Sequence, residues 1–184
     1  MNMEQLFNDI PAALKGAEIG LPDEVFSFVS SVTPMVNVDL LIIDEAKGTL
    51  LSWRKDDISE GWHIPGGIVR FKETLEERIH RTAQKELGTD VSFDETPLKI
   101  SEIFMPYQRR GHFISFLYRC RLPKGYSVER QEKRSGENGY LAWHNTIPRL
   151  VPGQSVYEEF LRVLKKNKTG GAQSGMSLLR GEVA

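Results

Sequence analysis

The stretch from position 65 to position 88 constrains this chain most. It begins Pro65-Gly66-Gly67 and passes through the polar turn Arg70-Phe71-Lys72-Glu73. It then enters a segment, 74–87, whose spacing predicts a helix. Thr74 and Glu77 have the spacing of a capping box, and Gly88 stands where a helix commonly stops. Two adjacent glycines let a backbone turn tightly and come close to a ligand, and a carbonyl exposed there can hold a hard cation. Glu73 and Arg81 are spaced to pin the loop onto the helix by an ion pair. Glu86 lies near the helix end, where the dipole disfavours a negative charge. A bound cation would remove that penalty.

The flanks of this helix are rich in β-formers. Segments 36–44 and 50–54 read as a hairpin around a turn at 45–48, and 62–64 as a short strand running into the glycines. Beyond the helix, 98–104 and 112–122 form a predicted strand pair, and 139–143 a short strand after the charged loop 129–138. Ser155 and Glu158 offer a second capping box, with Val156, Phe160, Val163 and Leu164 as the apolar face of a closing helix. Strands on both sides of a central helix, with a second helix closing the domain, predict a mixed sheet between helices. That is an α/β/α sandwich of the α/β (α+β) class. Residues 1–32 read as an N-terminal helical extension, with a helix opening at Pro22 and acids Asp23 and Glu24 in its first turn. Residues 33–166 form the domain. Residues 167–184, rich in Gly, Ser, Lys and Thr, read as a flexible tail.

Composition narrows the function classes. The formal net charge is -1, so nothing marks a nucleic-acid surface. No apolar run reaches the ~18–20 residues of a membrane helix, and positions 1–5 lack a signal peptide's basic start. The expectation is a cytoplasmic protein with no membrane or nucleic-acid partner. The single cysteine, Cys120, lies in an apolar run and reads as a buried small hydrophobe.

The 65–88 segment resembles the Nudix box: a glycine, five residues, Glu, seven residues, then Arg-Glu-hydrophobic-any-Glu-Glu-any-Gly. Gly67, Glu73, Arg81, Glu86 and Gly88 occupy matching positions, and Trp62-His63-Ile64-Pro65-Gly66 resembles the family's approach to the box. Two positions depart. Thr82 stands where the box has the Glu after Arg, and Lys85 where it has the first Glu of the pair. Of the helix carboxylates that gather metal in such enzymes, Glu86 remains. Glu77 lies about half a turn round the helix from it.

The same losses occur in the GDP-mannose mannosyl hydrolase branch, which Thr33-Pro34-Met35-Val36-Asn37-Val38-Asp39 also resembles. That resemblance implies a Mg²⁺-dependent hydrolase, with Mn²⁺ as a substitute cation. Its substrate would be a nucleoside diphosphate linked to another group, such as a sugar. It implies the Gly66 carbonyl, Glu86 and Glu137 as metal ligands. Arg54 and Asp39 follow as catalytic and substrate-binding residues, Glu137 as a catalytic residue, and Gly67 and Arg70 as further substrate contacts. Asn138 stands where that branch has its His base, and Ile68 where it has an arginine after the glycines. Glu137 is therefore either a ligand or the base. His63 and His112 are candidate replacement bases, weighed against structural roles. Two alternatives stay open: a conventional Nudix pyrophosphohydrolase, and a Nudix-fold module that binds a nucleotide without turnover. The small-molecule nucleotide is the expected partner, with a two-fold homodimer as the expected assembly.

Overall fold

The computed structural model describes residues 20–56 and 59–161. A long strand, β1 (Met35–Asp44), forms the spine. It joins β2 (Gly48–Lys55) through a tight turn in which Asp44 accepts the N–H groups of Ala46 and Lys47. Beyond β2 come β3 (Glu60–His63) and the three-residue β4 (Gly66–Ile68). The second half of the chain supplies β5 (Ser92–Phe93), β6 (Lys99–Phe104), β7 (His112–Arg121) and β8 (Leu141–His144). β1 runs parallel to β7 in register from Met35↔Phe113 to Ile42↔Cys120. The remaining pairings are antiparallel: β1 with β2 and β4, β2 with β3 and β8, β7 with β5 and β6. The mixed sheet expected from the element order is present.

Side-chain alternation on β1 sorts the core into two layers. Val38, Leu40 and Ile42 face one way, and the central helix covers them with Ile79, Ala83 and Leu87. Leu41 faces the other way, toward Leu51, Ile64, Leu117, Tyr157 and Leu161. The C-terminal segment thus closes the second face, which makes the α/β/α sandwich. Cys120 is buried, and burial pushes its thiol up to about 12, so it is an inert core residue. No described helix is long and apolar enough to cross a membrane.

Two helices flank the site. α1 (Asp23–Val32) opens at Pro22 with Asp23 and Glu24 in its first turn, as read. α2 (Leu75–Leu87) carries the predicted capping box: Thr74 accepts the Glu77 N–H while Glu77 accepts the Thr74 N–H. Gly88 ends α2 at φ 67, a left-handed conformation that suits glycine.

Two expectations change. The second capping box at Ser155 and Glu158 does not open the last helix. Gly153, left-handed at φ 84, precedes a 3₁₀ turn at Gln154–Tyr157, and the helix begins at 158. That tighter turn brings Tyr157 inward to the sheet. The glycine pair also does not form a tight turn; Gly66 and Gly67 lie in β4, paired with Asp39 and Val38 of β1. Residues 1–19 of the predicted N-terminal extension, the residues after 161 and the tail at 167–184 lie outside the described residues.

Candidate active site

The two glycines explain how β4 can sit where it does. A Cβ on Gly66 would collide with Asp39 Oδ1 and approach the Val38 carbonyl to 2.9 Å. A Cβ on Gly67 would come within 2.5 Å of Thr82 Oγ1 on α2. Glycine is required by close approach to β1 on one side and α2 on the other. The ladder alternates too. Leu40 N–H bonds the Pro65 carbonyl and Val69 N–H bonds the Val36 carbonyl, so Gly66, opposite Asp39, belongs to a non-hydrogen-bonded pair. Its carbonyl therefore turns away from β1.

Glu73 locks the loop between β4 and α2. Its side chain is 2% exposed, and it accepts the Arg70 N–H at 2.8 Å and the Arg78 Nε–H at 2.7 Å. Arg81 Nη1 lies 3.2 Å from its other oxygen. The Glu73–Arg81 pair was legible in the spacing. The buried Arg78 partner was not anticipated; it lies one turn of helix from Arg81 and doubles the clamp.

A cleft of about 910 Å³ opens beside this loop. Asp39, Arg54, Gly66, Gly67, Arg70 and Glu86 all line it, so six of the seven site residues read from the sequence share one cavity. Arg54 is exposed at the end of β2, while Arg70 and Glu86 are half-buried. Lys85 also faces the cleft. Thr82 lines it from beneath, buried, its Oγ1 without a partner beside Gly67.

Glu137 is the seventh, and the structure does not bring it to the cleft. It is exposed, and its carboxylate accepts the Arg134 N–H at 2.9 Å, closing a local turn. The neighbouring Asn138 fastens that loop to the edge of β2 by accepting the Lys55 N–H. Glu137 is thus outside the residues that line the cleft.

Asp39 is 2% exposed on the floor of the cleft. Its Oδ2 accepts hydrogen bonds from the hydroxyls of Ser115 and of Tyr157, the latter at 2.9 Å. Burial pushes its carboxyl up to about 6, opposed by the hydrogen bonds from Ser115, Tyr157 and Asn37 and by the charge of Arg54. Burial and the neighbouring Asp39 charge push the Tyr157 phenol above its ordinary value. Sequence reading missed Ser115 and Tyr157. Tyr157 lies 118 positions from Asp39, and no local pattern announces such a contact.

Two further residues enter from the walls. His63 is buried, and burial together with the Arg54 charge lowers its imidazole to about 3, against a smaller opposing effect of Asp56. Arg110, in the loop between β6 and β7, lies 4.6 Å over the Phe26 ring of α1. Burial and Arg54 lower its pKa. The cleft therefore concentrates Arg54, Arg70, Lys85, Arg109 and Arg110 against Asp39, Asp56 and Glu86. That balance suits a multiply charged anion.

The donors available to a cation are few. Among the described residues no three His, Cys, Asp or Glu side chains gather. Gly66 and Glu86 both line the cleft and offer one carbonyl and one carboxylate. They fit a hard cation that completes its shell with water and ligand phosphates, and do not fit one held by protein alone.

The architecture is that of a class of α/β/α sandwich domains found in several solved structures. A UDP-X diphosphatase superposes with a TM-score of 0.54 at 19% identity, covering 90% of this chain and 83% of that one. A MutT Nudix hydrolase from Burkholderia pseudomallei gives 0.51 at 21% identity, covering 69% and 97%. A MutT protein from Methanosarcina mazei Go1 gives 0.51 at 18%, covering 76% and 99%. At these identities the likeness is one of fold. The NUDIX domain model matches residues 33–146, and the chain belongs to that family. The low-salt glycan biosynthesis protein Agl8 of Haloferax volcanii is 39% identical over 75 residues, 40% of this chain and 47% of that protein. The chain thus matches about half the length of that curated relative.

Proposed function

We propose that this chain hydrolyses a nucleoside diphosphate linked to a sugar, GDP-mannose being the model substrate, with Mg²⁺ or Mn²⁺. The observation that carries the reading is the cleft's makeup: a cationic surplus around one helix carboxylate and one outward-turned carbonyl. Such a site suits a ligand that brings its own phosphate oxygens to the metal. The partial likeness to a protein named for glycan biosynthesis supports a sugar-bearing substrate.

In this scheme Arg54 and Arg70 hold the non-bridging oxygens of the diphosphate by charge-assisted hydrogen bonds. Glu86 and the Gly66 carbonyl hold the cation. When bound, the cation neutralises the diphosphate and so favours it as leaving group or as electrophile. Glu73, through Arg78 and Arg81, fixes the loop that presents Gly66 and Arg70. Asp39 accepts the proton of the attacking water at Oδ1, the oxygen that Ser115 and Tyr157 leave uncommitted. Those two hydroxyls orient the carboxylate. Glu137 takes no part.

A second reading has a specific observation behind it. Thr82 and Lys85 replace two acids of the box, and no carboxylate cluster compensates among the described residues. A module that binds a nucleotide without turnover would look the same. Products formed in ¹⁸O-water from nucleotide sugars and nucleoside triphosphates, with Mg²⁺ or Mn²⁺, separate the readings. Label in the sugar means attack at carbon, and label in a phosphate means attack at phosphorus. Cleavage of triphosphates in preference to nucleotide sugars would make the chain a conventional pyrophosphohydrolase. No product from any substrate would leave a binding module.

A further inference from the structure

His63 carries an acceptor that the scheme above does not use. It ends β3, three positions before Gly66, and lines the cleft while remaining 5% exposed. Its Nδ1 lies 2.8 Å from the Ile64 carbonyl oxygen. A carbonyl only accepts, so Nδ1 carries the hydrogen. The ring is neutral, since burial and Arg54 disfavour its charged form. In a neutral imidazole with a protonated Nδ1, Nε2 is a bare lone pair. Among the described residues no group hydrogen-bonds to it. The ring lines the cleft, so the donor that this acceptor can take comes from whatever occupies the cleft.

The donor has a definable chemistry. It is uncharged, because Arg54 is close enough to act on the ring and an ammonium would meet the same repulsion. It also lies near the phosphates, since Arg54 is their proposed partner. In a nucleoside diphosphate sugar, the groups attached directly to the phosphates are sugar rings on both sides, and the base is one ring further away. We infer that His63 is a specificity-determining residue whose Nε2 accepts a hydrogen bond from a ring hydroxyl of the bound nucleotide sugar. This rests on the proposed function. The hydroxyl belongs to the hexose or to the ribose, and the two sources are separable. A site built around such a bond binds an analogue lacking the hydroxyl more weakly, because the acceptor then loses its partner.

The test is calorimetric binding to the full chain with Ca²⁺ replacing Mg²⁺, using GDP-mannose and UDP-glucose. Each is compared with its monodeoxy-hexose analogues and its 2′- and 3′-deoxyribose analogues. The expected result is that one analogue binds the native protein at least about tenfold more weakly than its parent. His63→Phe should then bind that parent and analogue within about twofold of each other. A sensitive deoxyhexose assigns the hexose, and a sensitive deoxyribose the nucleoside. His63→Leu serves the same comparison if the Phe variant misfolds. Native protein that binds every analogue as well as the parent overturns the inference, and so does unchanged discrimination in the variants. Either result leaves the proposed function standing. If neither parent nucleotide sugar binds, the proposed function falls and the inference falls with it.

Discussion

Asp39 and His63 face the same cleft with their protonation pushed in opposite senses relative to their ordinary ranges. The folded pKa of Asp39 is raised to about 6. Its contribution to stability is therefore present below the unfolded value and lost as pH rises through about 6. Asp39→Asn cannot ionise. In the absence of divalent cations it should be more stable than the native protein at pH 8, by at most about 3 kcal/mol, with the advantage gone at pH 4. Urea unfolding at the two pH values checks this; a gap that does not change with pH contradicts it. The same variant should lose nearly all turnover. His63 has the opposite sign. Its folded pKa is lowered to about 3, so its contribution is complete above the unfolded value and declines as pH falls toward 3. Arg54→Ala should weaken diphosphate binding by about 1.5–3 kcal/mol, the range for a hydrogen bond to a charged group. Unchanged affinity would assign Arg54 to the surface. At this scale the sequence disclosed what local spacing encodes: the pinning of Glu73 by Arg81, and Glu86 near a helix end. It did not disclose Tyr157 or Ser115 on Asp39, because those contacts join distant segments through the sheet register. It also grouped Glu137 with the cleft residues, whereas Glu137 accepts an N–H of its own turn and does not line the cleft.

At the scale of elements, α2 is the best-specified part of the chain, with a capping box at one end and a left-handed glycine at the other. Thr74→Ala should cost about 1 kcal/mol, the usual effect of losing a cap, measured by thermal or urea unfolding. The contact between β4 and α2 is a sharper test. Gly67→Ala places a methyl against Thr82 Oγ1 and 3.2 Å from Arg78 Cδ. Overpacking of that kind costs about 1–3 kcal/mol. Thr82→Ala removes the oxygen, so the double variant should be less destabilised than the two singles added together. Strict additivity would mean that Thr82 does not set the approach of the helix. The sequence marked the glycine pair as special and assigned it the wrong reason. It read a turn; the backbone is extended, and closeness is what excludes a side chain. Turn propensity is written in residue type, whereas the approach of two elements depends on a partner that only the fold supplies.

The whole molecule places Gly66, Glu86, Asp39 and Arg54 around one cavity although they come from four elements. The order of strands and helix made the α/β/α sandwich legible before any coordinate. Which side of the sheet each site residue faces follows from the register of β1 with β4 and β7, which no periodicity reveals. In the proposed function this depleted box supports metal-dependent hydrolysis of a nucleotide sugar with Glu86 as its one helix ligand. The most direct measurement is turnover of GDP-mannose with Mg²⁺ in ¹⁸O-water by native protein, Glu86→Gln and Glu137→Gln. Labelled product is expected from the native protein and from Glu137→Gln at comparable rates, and none from Glu86→Gln. Full activity in Glu86→Gln, or loss of activity in Glu137→Gln alone, would contradict it.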